Sequence, residues 1–250
     1  MPGIRLRRSD LLADQCAHPP FGHRRFAPGA PAVRVGTTGT GDDLLLLAWS
    51  AADLAREVEA GARLLRRLGV RPGARVGNTL PGALTTPGAL LLGDVNEAIG
   101  ALDVPLGTVE TDAAARAAWE LVDRVQCQIL VLVPETAATF FRAAPAAPRP
   151  WLDGIVWLQR PGSLVMSHVP EGFGAWQRIW LAVPEVASFA AGSCDRGALH
   201  VDAGVGAEIA DGQLVLVPRA AAAAPGPFAT GIAARVAECP CGSGEIAVEV

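Results

Sequence analysis

Apolar positions over residues 31–135 alternate between helical spacing and short continuous runs. Ala32–Val35 reads as a short strand, and Gly36-Thr37-Thr38-Gly39-Thr40-Gly41 as a Gly/Thr turn behind it. Ser50 opens a helix, with Asp53 three residues on in capping-box spacing. Leu54, Val58, Gly61, Ala62, Leu65 and Leu68 line one face of that helix, and Gly69 stops it. Arg75–Leu80 reads as a strand, Leu90–Ile99 as a helix and Ala101–Leu106 as a strand. Thr111 and Asp112 cap a helix over 113–124, and Gln128–Val133 is a buried strand ended by Pro134. This alternation predicts an α/β fold: parallel βαβ units with right-handed crossovers and flanking helices.

Outside that stretch the periodicity weakens. Residues 1–30 read as an irregular arm, charged at first and then rich in Pro, Gly and His. Ala143–Pro150 is a Pro/Ala connector, and shorter strands follow at Gly154–Trp157, Leu164–Val169 and Ile179–Val183. From Ala198 the strands shorten again (198–202, 206–209 and 213–217), which predicts a small β-lobe. The expected organisation is an arm (1–30), an α/β subdomain (31–150) and a β-rich subdomain (151–250).

Composition narrows the chemistry. The chain has 250 residues, 50% hydrophobic and 18% charged, enough for a sizeable core. All 21 basic residues are arginine, and tyrosine is absent as well. A high-GC genome explains such a bias, but it still excludes lysine Schiff bases, a phosphate-binding lysine and a tyrosine general acid within this sequence. The net charge of −4, without a block of like charges, argues against a nucleic-acid surface. The longest apolar runs, Leu44–Trp49 and Ile129–Pro134, are too short for a membrane span, and no signal peptide is evident. The expectation is a cytoplasmic protein with reduced thiols, whose cysteines are core residues or metal ligands.

Cys194, His200, Cys239 and Cys241 supply three thiolates and one imidazole, a donor set suited to closed tetrahedral Zn²⁺. Such a structural zinc would staple the β-lobe. The competing reading is three separate buried cysteines and a surface histidine. Cys16, His18 and His23 read as solvated or partner-facing residues of the arm, Cys127 as a core residue, and His168 as a capped or surface histidine.

An ordered series of segments runs Val33-Arg34-Val35-Gly36-Thr37-Thr38-Gly39-Thr40, Leu68-Gly69-Val70-Arg71-Pro72-Gly73, Leu84-Thr85-Thr86-Pro87-Gly88 and Leu106-Gly107-Thr108-Val109-Glu110-Thr111. A second region covers Glu185 to Cys194, His200, Gly212-Gln213-Leu214-Val215, Thr230-Gly231 and Cys239-Pro240-Cys241-Gly242. In order and spacing the series resembles the large N-terminal domain of adenylate-forming (AMP-binding) enzymes, nearest the phenylacetate-CoA ligase-like branch. The resemblance implies activation of a carboxylic acid with Mg-ATP to an acyl-adenylate, then transfer to coenzyme A or a carrier thiol. It also implies that Cys194, His200, Cys239 and Cys241 are zinc ligands.

By the same resemblance, Gly36, Thr37, Thr38, Gly39 and Thr40 form the phosphate loop, Glu185 the Mg²⁺-associated carboxylate, and Thr230 part of the ribose site. Read from the residues alone, the alternative to a phosphate loop is a plain Gly/Thr turn between strand and helix, and Glu185 is equally a surface acid after a proline. Three departures bear on activity. The lysine that follows the loop is missing, Leu181 replaces an aromatic near adenine, and Ile232 replaces the aspartate that holds the ribose hydroxyls. The family's C-terminal ligase domain, which carries a further lysine, is expected to be absent. The resulting expectation is an acid-CoA or acid-carrier-protein ligase-like protein with a degraded ATP site. It would act on a small-molecule carboxylate or acyl-thioester, with a homodimer or protein partner possible and no nucleic acid or membrane. The alternative is an inactive, zinc-stabilised binding or assembly partner.

Overall fold

Successive residues of a strand face opposite sides of a sheet, and the buried strands here sort their side chains between two cores accordingly. The computed structural model describes residues 5–23, 30–82, 86–162, 169–170, 173–219, 222–242 and 246–250. Five strands are parallel: β3 (Arg75–Asn78), β4 (Leu102–Pro105), β5 (Ile129–Leu132), β6 (Gly154–Gln159) and β7 (Trp176–Val183). Along β5, Ile129 and Val131 enter one core while Leu130 and Leu132 enter the other. Along β6 the alternation repeats, with Val156 and Leu158 facing the first core and Ile155 and Trp157 the second. Helices cover both faces, which is why these strands are continuously apolar.

The first core is closed by α2 (Ala51–Arg67) and α3 (Ala89–Ile99), through Leu64, Leu65 and the C-cap Leu68 of the first and Leu92, Val95 and Ile99 from the second. The second is closed by α4 (Asp112–Val125) and α5 (Pro134–Arg142), through Trp119, Val122, Phe140 and Phe141. The capping signals work as the sequence indicates. Ser50 accepts from the Asp53 N–H, the Asp53 carboxylate accepts from the Ser50 N–H at 2.8 Å, and Thr111 accepts from the Ala114 N–H. Helix α5 occupies the stretch between the buried strand and the Ala143–Pro150 connector, for which the sequence indicated no element; Pro134 sits in its first turn, where a missing N–H costs nothing.

Beyond β7 the sheet turns antiparallel through β8 (Ala187–Ser193), β9 (Leu199–Val201), β14 (Ala247–Glu249) and β13 (Arg235–Ala237). Among the described residues this gives nine strands in the order β13-β14-β9-β8-β7-β6-β5-β3-β4. Of the strands expected in the β-lobe, 198–202 joins the main sheet as β9, with β14 and β13 beyond it. A separate three-stranded antiparallel sheet holds β10 (Val205–Ala210), β11 (Gln213–Pro218) and β12 (Phe228–Ala233).

Two expectations change. Residues 1–30 contain a ten-residue helix, α1 (Arg8–Ala17), whose only fully buried side chain is Leu11. One buried leucine leaves no amphipathic stripe to read. Gly36-Thr37-Thr38 is not a turn; it belongs to β1 (Arg34–Thr38), which pairs antiparallel with β2 (Leu45–Trp49). The turn of that hairpin begins at Gly39 and includes a single 3₁₀ turn, Gly41–Asp43. The suggested strand over 164–169 and His168 fall almost wholly outside the described residues, as do residues 84 and 85 of the family-like series. No helix of the described residues is long and apolar enough to cross a membrane.

Candidate functional site

In open parallel sheets, ligands bind at the carboxyl ends of the strands. At that edge the loop after β6 carries Arg160 and the turn after β7 carries Glu185. The β1–β2 hairpin and the first residue of α1 meet them there. Gly39 turns with φ +84°; a Cβ on it would stand 2.1 Å from the Asp43 carbonyl oxygen and 2.2 Å from Arg8 Nη2. Only glycine lets the turn close this tightly. Gly36 is packed as closely within β1, where a Cβ would fall 2.4 Å from Thr86 Oγ1 and 2.8 Å from the Trp49 ring. The Thr86 N–H donates to the Thr37 carbonyl at 2.8 Å, so segment 86–88 flanks the hairpin.

Arg8 ties the turn together. Its guanidinium donates to the Thr38 carbonyl at 2.7 Å, to the Asp43 carbonyl at 2.5 Å and to the Asp43 carboxylate at 2.8 and 2.9 Å. It also donates to Glu185 Oε1. Glu185 is only 5% exposed, so it is not a surface acid. Arg160 lies within the same field. Burial pushes its guanidinium below the ordinary arginine range, Glu135 and Glu185 oppose that shift, and Arg8 adds to it. Arg8 therefore stands at a hairpin that carries no lysine, and Arg160 donates to the Thr86 carbonyl at 3.4 Å in the segment beside it. Sequence reasoning missed both. Arg8 was lost in the unrecognised helix, and a lone arginine after a strand carries no motif.

The hydroxyl of Thr230 donates to the Leu214 carbonyl at 2.8 Å and accepts from the Ile232 N–H at 3.1 Å. Both bonds stay within the β11–β12 lobe. Ile232 is buried in the core that also takes Leu45, Leu47, Leu181 and Val183. Leu181 is an apolar core residue of β7.

The sulfur and imidazole ligand atoms of Cys194, His200, Cys239 and Cys241 all lie within 4.8 Å of one another. Cys194 follows β8, His200 lies in β9, and the two other cysteines sit between β13 and β14. Pairing of Ala247 with His200 brings that last loop over β9. Cys194 Sγ is 3.5 Å from Cys239 Sγ, and Cys241 Sγ is 3.3 Å from His200 Nε2. A tetrahedral zinc with sulfurs at 2.3 Å separates them by about 3.8 Å, so a small inward-to-outward adjustment suffices. The Arg196 N–H donates to Cys194 Sγ at 3.3 Å, as an amide does to a thiolate ligand. The Cys241 N–H favours the Cys239 thiolate, but desolvation and the thiols of Cys241 and Cys194 outweigh it and push Cys239 up to about 11. Such crowding of sulfurs fits a bound dication, which would reverse it. Cys127 stands apart, buried, with its thiol also pushed up to about 11 by desolvation.

No protein-family model matches the chain, and no curated protein sequence matches it either. Solved structures do. An open conformation of 2-hydroxyisobutyryl-CoA ligase, in complex with 2-HIB-AMP and CoA, superposes with a TM-score of 0.81 at 19% identity, over 99% of this chain and 62% of that one. The amide bond synthetase McbA from Marinactinospora thermotolerans gives 0.59 at 19% identity, over 86% of this chain and 48% of that one. VinN gives 0.61 at 12% identity, over 90% of this chain and 62% of that one. The chain has the fold that these proteins share, and it spans less than two thirds of the length of each.

Proposed function

We propose that the chain is an adenylate-forming, acid-CoA or acid-carrier-protein ligase-like protein, with its nucleotide phosphates at the Gly36–Thr40 hairpin. The observation that carries this reading is Arg8, which joins the hairpin turn to the buried Glu185 at the carboxyl edge of the parallel sheet. Arg8 and Arg160 would supply the positive charge that a loop lysine supplies in the resembling family. Stabilising charge on the transferring phosphoryl group is the main catalytic demand of such chemistry. Gly41, at positive φ and with nothing within 4 Å of its Cβ position, leaves the backbone open for close approach by an anion. The ligand would be a small-molecule carboxylate or acyl-thioester. The neighbour solved with 2-HIB-AMP and CoA supports that class.

The residues fit ATP unevenly. The hairpin and its arginines suit phosphate, whereas Ile232, buried among apolar side chains, accepts no bond from a ribose hydroxyl. Glu185 would hold Mg²⁺ only after yielding its contact with Arg8. The donor set of Cys194, His200, Cys239 and Cys241 fits a structural Zn²⁺; with four protein ligands it leaves no open position for chemistry.

The deciding experiment is ATP–pyrophosphate exchange across a panel of aryl and short-chain acids, together with ATP calorimetry. Exchange with any acid, lost in Arg160→Ala, supports the reading. No exchange and no ATP binding overturn it. The second reading, a zinc-stabilised binding or assembly partner, is favoured by the same Ile232 and by an ion pair that satisfies Glu185 without nucleotide. It expects a partner that co-purifies with the chain and restores or alters activity.

A further inference from the structure

Asp14, His18 and His23 lie in the last turn of α1 and just beyond it, at the end opposite Arg8. They belong neither to the proposed nucleotide site nor to the cysteine cluster. Asp14 and His18 are four residues apart on α1 and its C-cap, so they share a face. The chain then folds back through Gly22, whose φ is +63° and whose N–H donates to the His18 carbonyl at 2.8 Å. A Cβ on Gly22 would lie 2.2 Å from Asp14 Oδ2, so a glycine is needed for the turn to cross the carboxylate. The turn delivers His23. Its backbone N–H donates to Asp14 Oδ2 at 2.6 Å, which fixes that oxygen and leaves Oδ1 turned toward the two imidazoles.

Both rings present Nδ1 to that single oxygen, His18 at 3.1 Å and His23 at 2.5 Å. Their centroids are 3.9 Å apart with the planes at 57°. Two ligand atoms at 2.1 Å from an ion and at right angles are about 3.0 Å apart. Each imidazole nitrogen thus already sits near the spacing of adjacent ligands from the carboxylate oxygen, and the ligand atoms of all three residues lie within 4.8 Å of one another.

We propose that Asp14, His18 and His23 form a second metal site, for an exchangeable first-row transition dication. Two imidazoles and one carboxylate select ions such as Zn²⁺ or Ni²⁺ over Mg²⁺ and Ca²⁺. The side chains of His18 and His23 are 54% and 66% exposed, against 28% for Asp14. The remaining coordination positions face solvent, so the site is open, unlike the closed cysteine cluster. Binding would lock the turn over 18–23 onto the helix that carries Arg8.

The test uses tag-free, full-length chain with its zinc content fixed beforehand, titrated with Ni²⁺ by calorimetry and by equilibrium dialysis. Saturable uptake of one Ni²⁺ without zinc loss is expected. His18→Ala and His23→Ala should each weaken it by about tenfold or more, and the double variant should abolish it. Both histidines are exposed, so these variants keep the fold, and unchanged zinc content checks that. No saturable binding by the native chain overturns the proposal. So does equal affinity in the double variant, or nickel that enters only by displacing zinc.

Discussion

Arg8 Nη2 donates to the backbone carbonyl of Thr38 at 2.7 Å, across thirty residues of chain. That bond places a guanidinium from an amino-terminal helix at the turn of the β1–β2 hairpin, where it also meets Asp43 and Glu185.

Replacing this arginine should cost stability as well as any nucleotide affinity. Arg8→Ala leaves the Glu185 carboxylate, 5% exposed, without its bonded guanidinium and with only the field of Arg160. A loss of about 1–3 kcal/mol is expected in urea unfolding, since an unpaired buried charge is costly while Arg8 itself stays partly solvated. Arg8→Lys should recover only part of it, because an ammonium cannot span the carboxylate and carbonyl acceptors that the planar fork reaches. An unchanged midpoint in Arg8→Ala would show that the contact contributes nothing.

Gly36→Ala should destabilise by about 1–3 kcal/mol, because the added methyl meets Thr86 Oγ1 and the rigid Trp49 ring. Gly82→Ala is the control: nothing lies within 4 Å of its Cβ position, and its backbone is not left-handed. It should change stability by less than about 0.5 kcal/mol. Similar midpoints for the two variants would contradict the packing at β1.

Thiol labelling of the native chain separates the five cysteines. With zinc bound, only the exposed Cys16 should react quickly. Chelation should release Cys194, Cys239 and Cys241 and lower the melting temperature. Cys127 should resist until unfolding, since burial keeps it a thiol with its pKa pushed up to about 11. Rapid labelling of all the cluster cysteines in untreated protein that contains zinc would place the metal elsewhere.

Asp103 on β4 makes the fold pH-sensitive in the opposite sense to a surface carboxylate. Burial raises its pKa, and hydrogen bonds from Asn96 and Asn78 offset only part of that. The folded chain then holds this proton more tightly than the unfolded chain. The associated stability is present below the unfolded carboxylate pKa and lost as pH rises through the folded one. Asp103→Asn should therefore be the more stable protein at neutral pH, with the advantage vanishing in acid. Urea midpoints at the two pH values measure it, and an advantage independent of pH would exclude titration as its cause.

Much of the scaffold is legible in local sequence. The Ser50–Asp53 box, the Thr111 cap and the apolar stripe from Leu54 to Leu68 each act within a few residues, so spacing alone exposes α2 and α4. Two continuous apolar runs announce the buried strands β5 and β6 for the same reason. The cysteines and His200 are legible as a donor set by residue type. Other features are not local. The hairpin hides in a Gly/Thr string because only pairing with Leu45–Leu47 makes Gly36–Thr38 a strand. Helix α1 hides because it buries one leucine.

Composition alone determined that no lysine or tyrosine of this sequence could serve a reaction, and patterning determined the α/β layers. The tertiary structure decided which cation stands at the hairpin turn and which side chains meet. Arg8 reaches Glu185 across 177 residues, and Cys241 reaches His200 across 41. Hydrophobic spacing records which face of an element is buried, but charge and ligand contacts at such separations are fixed only when the sheet order brings distant segments to one edge.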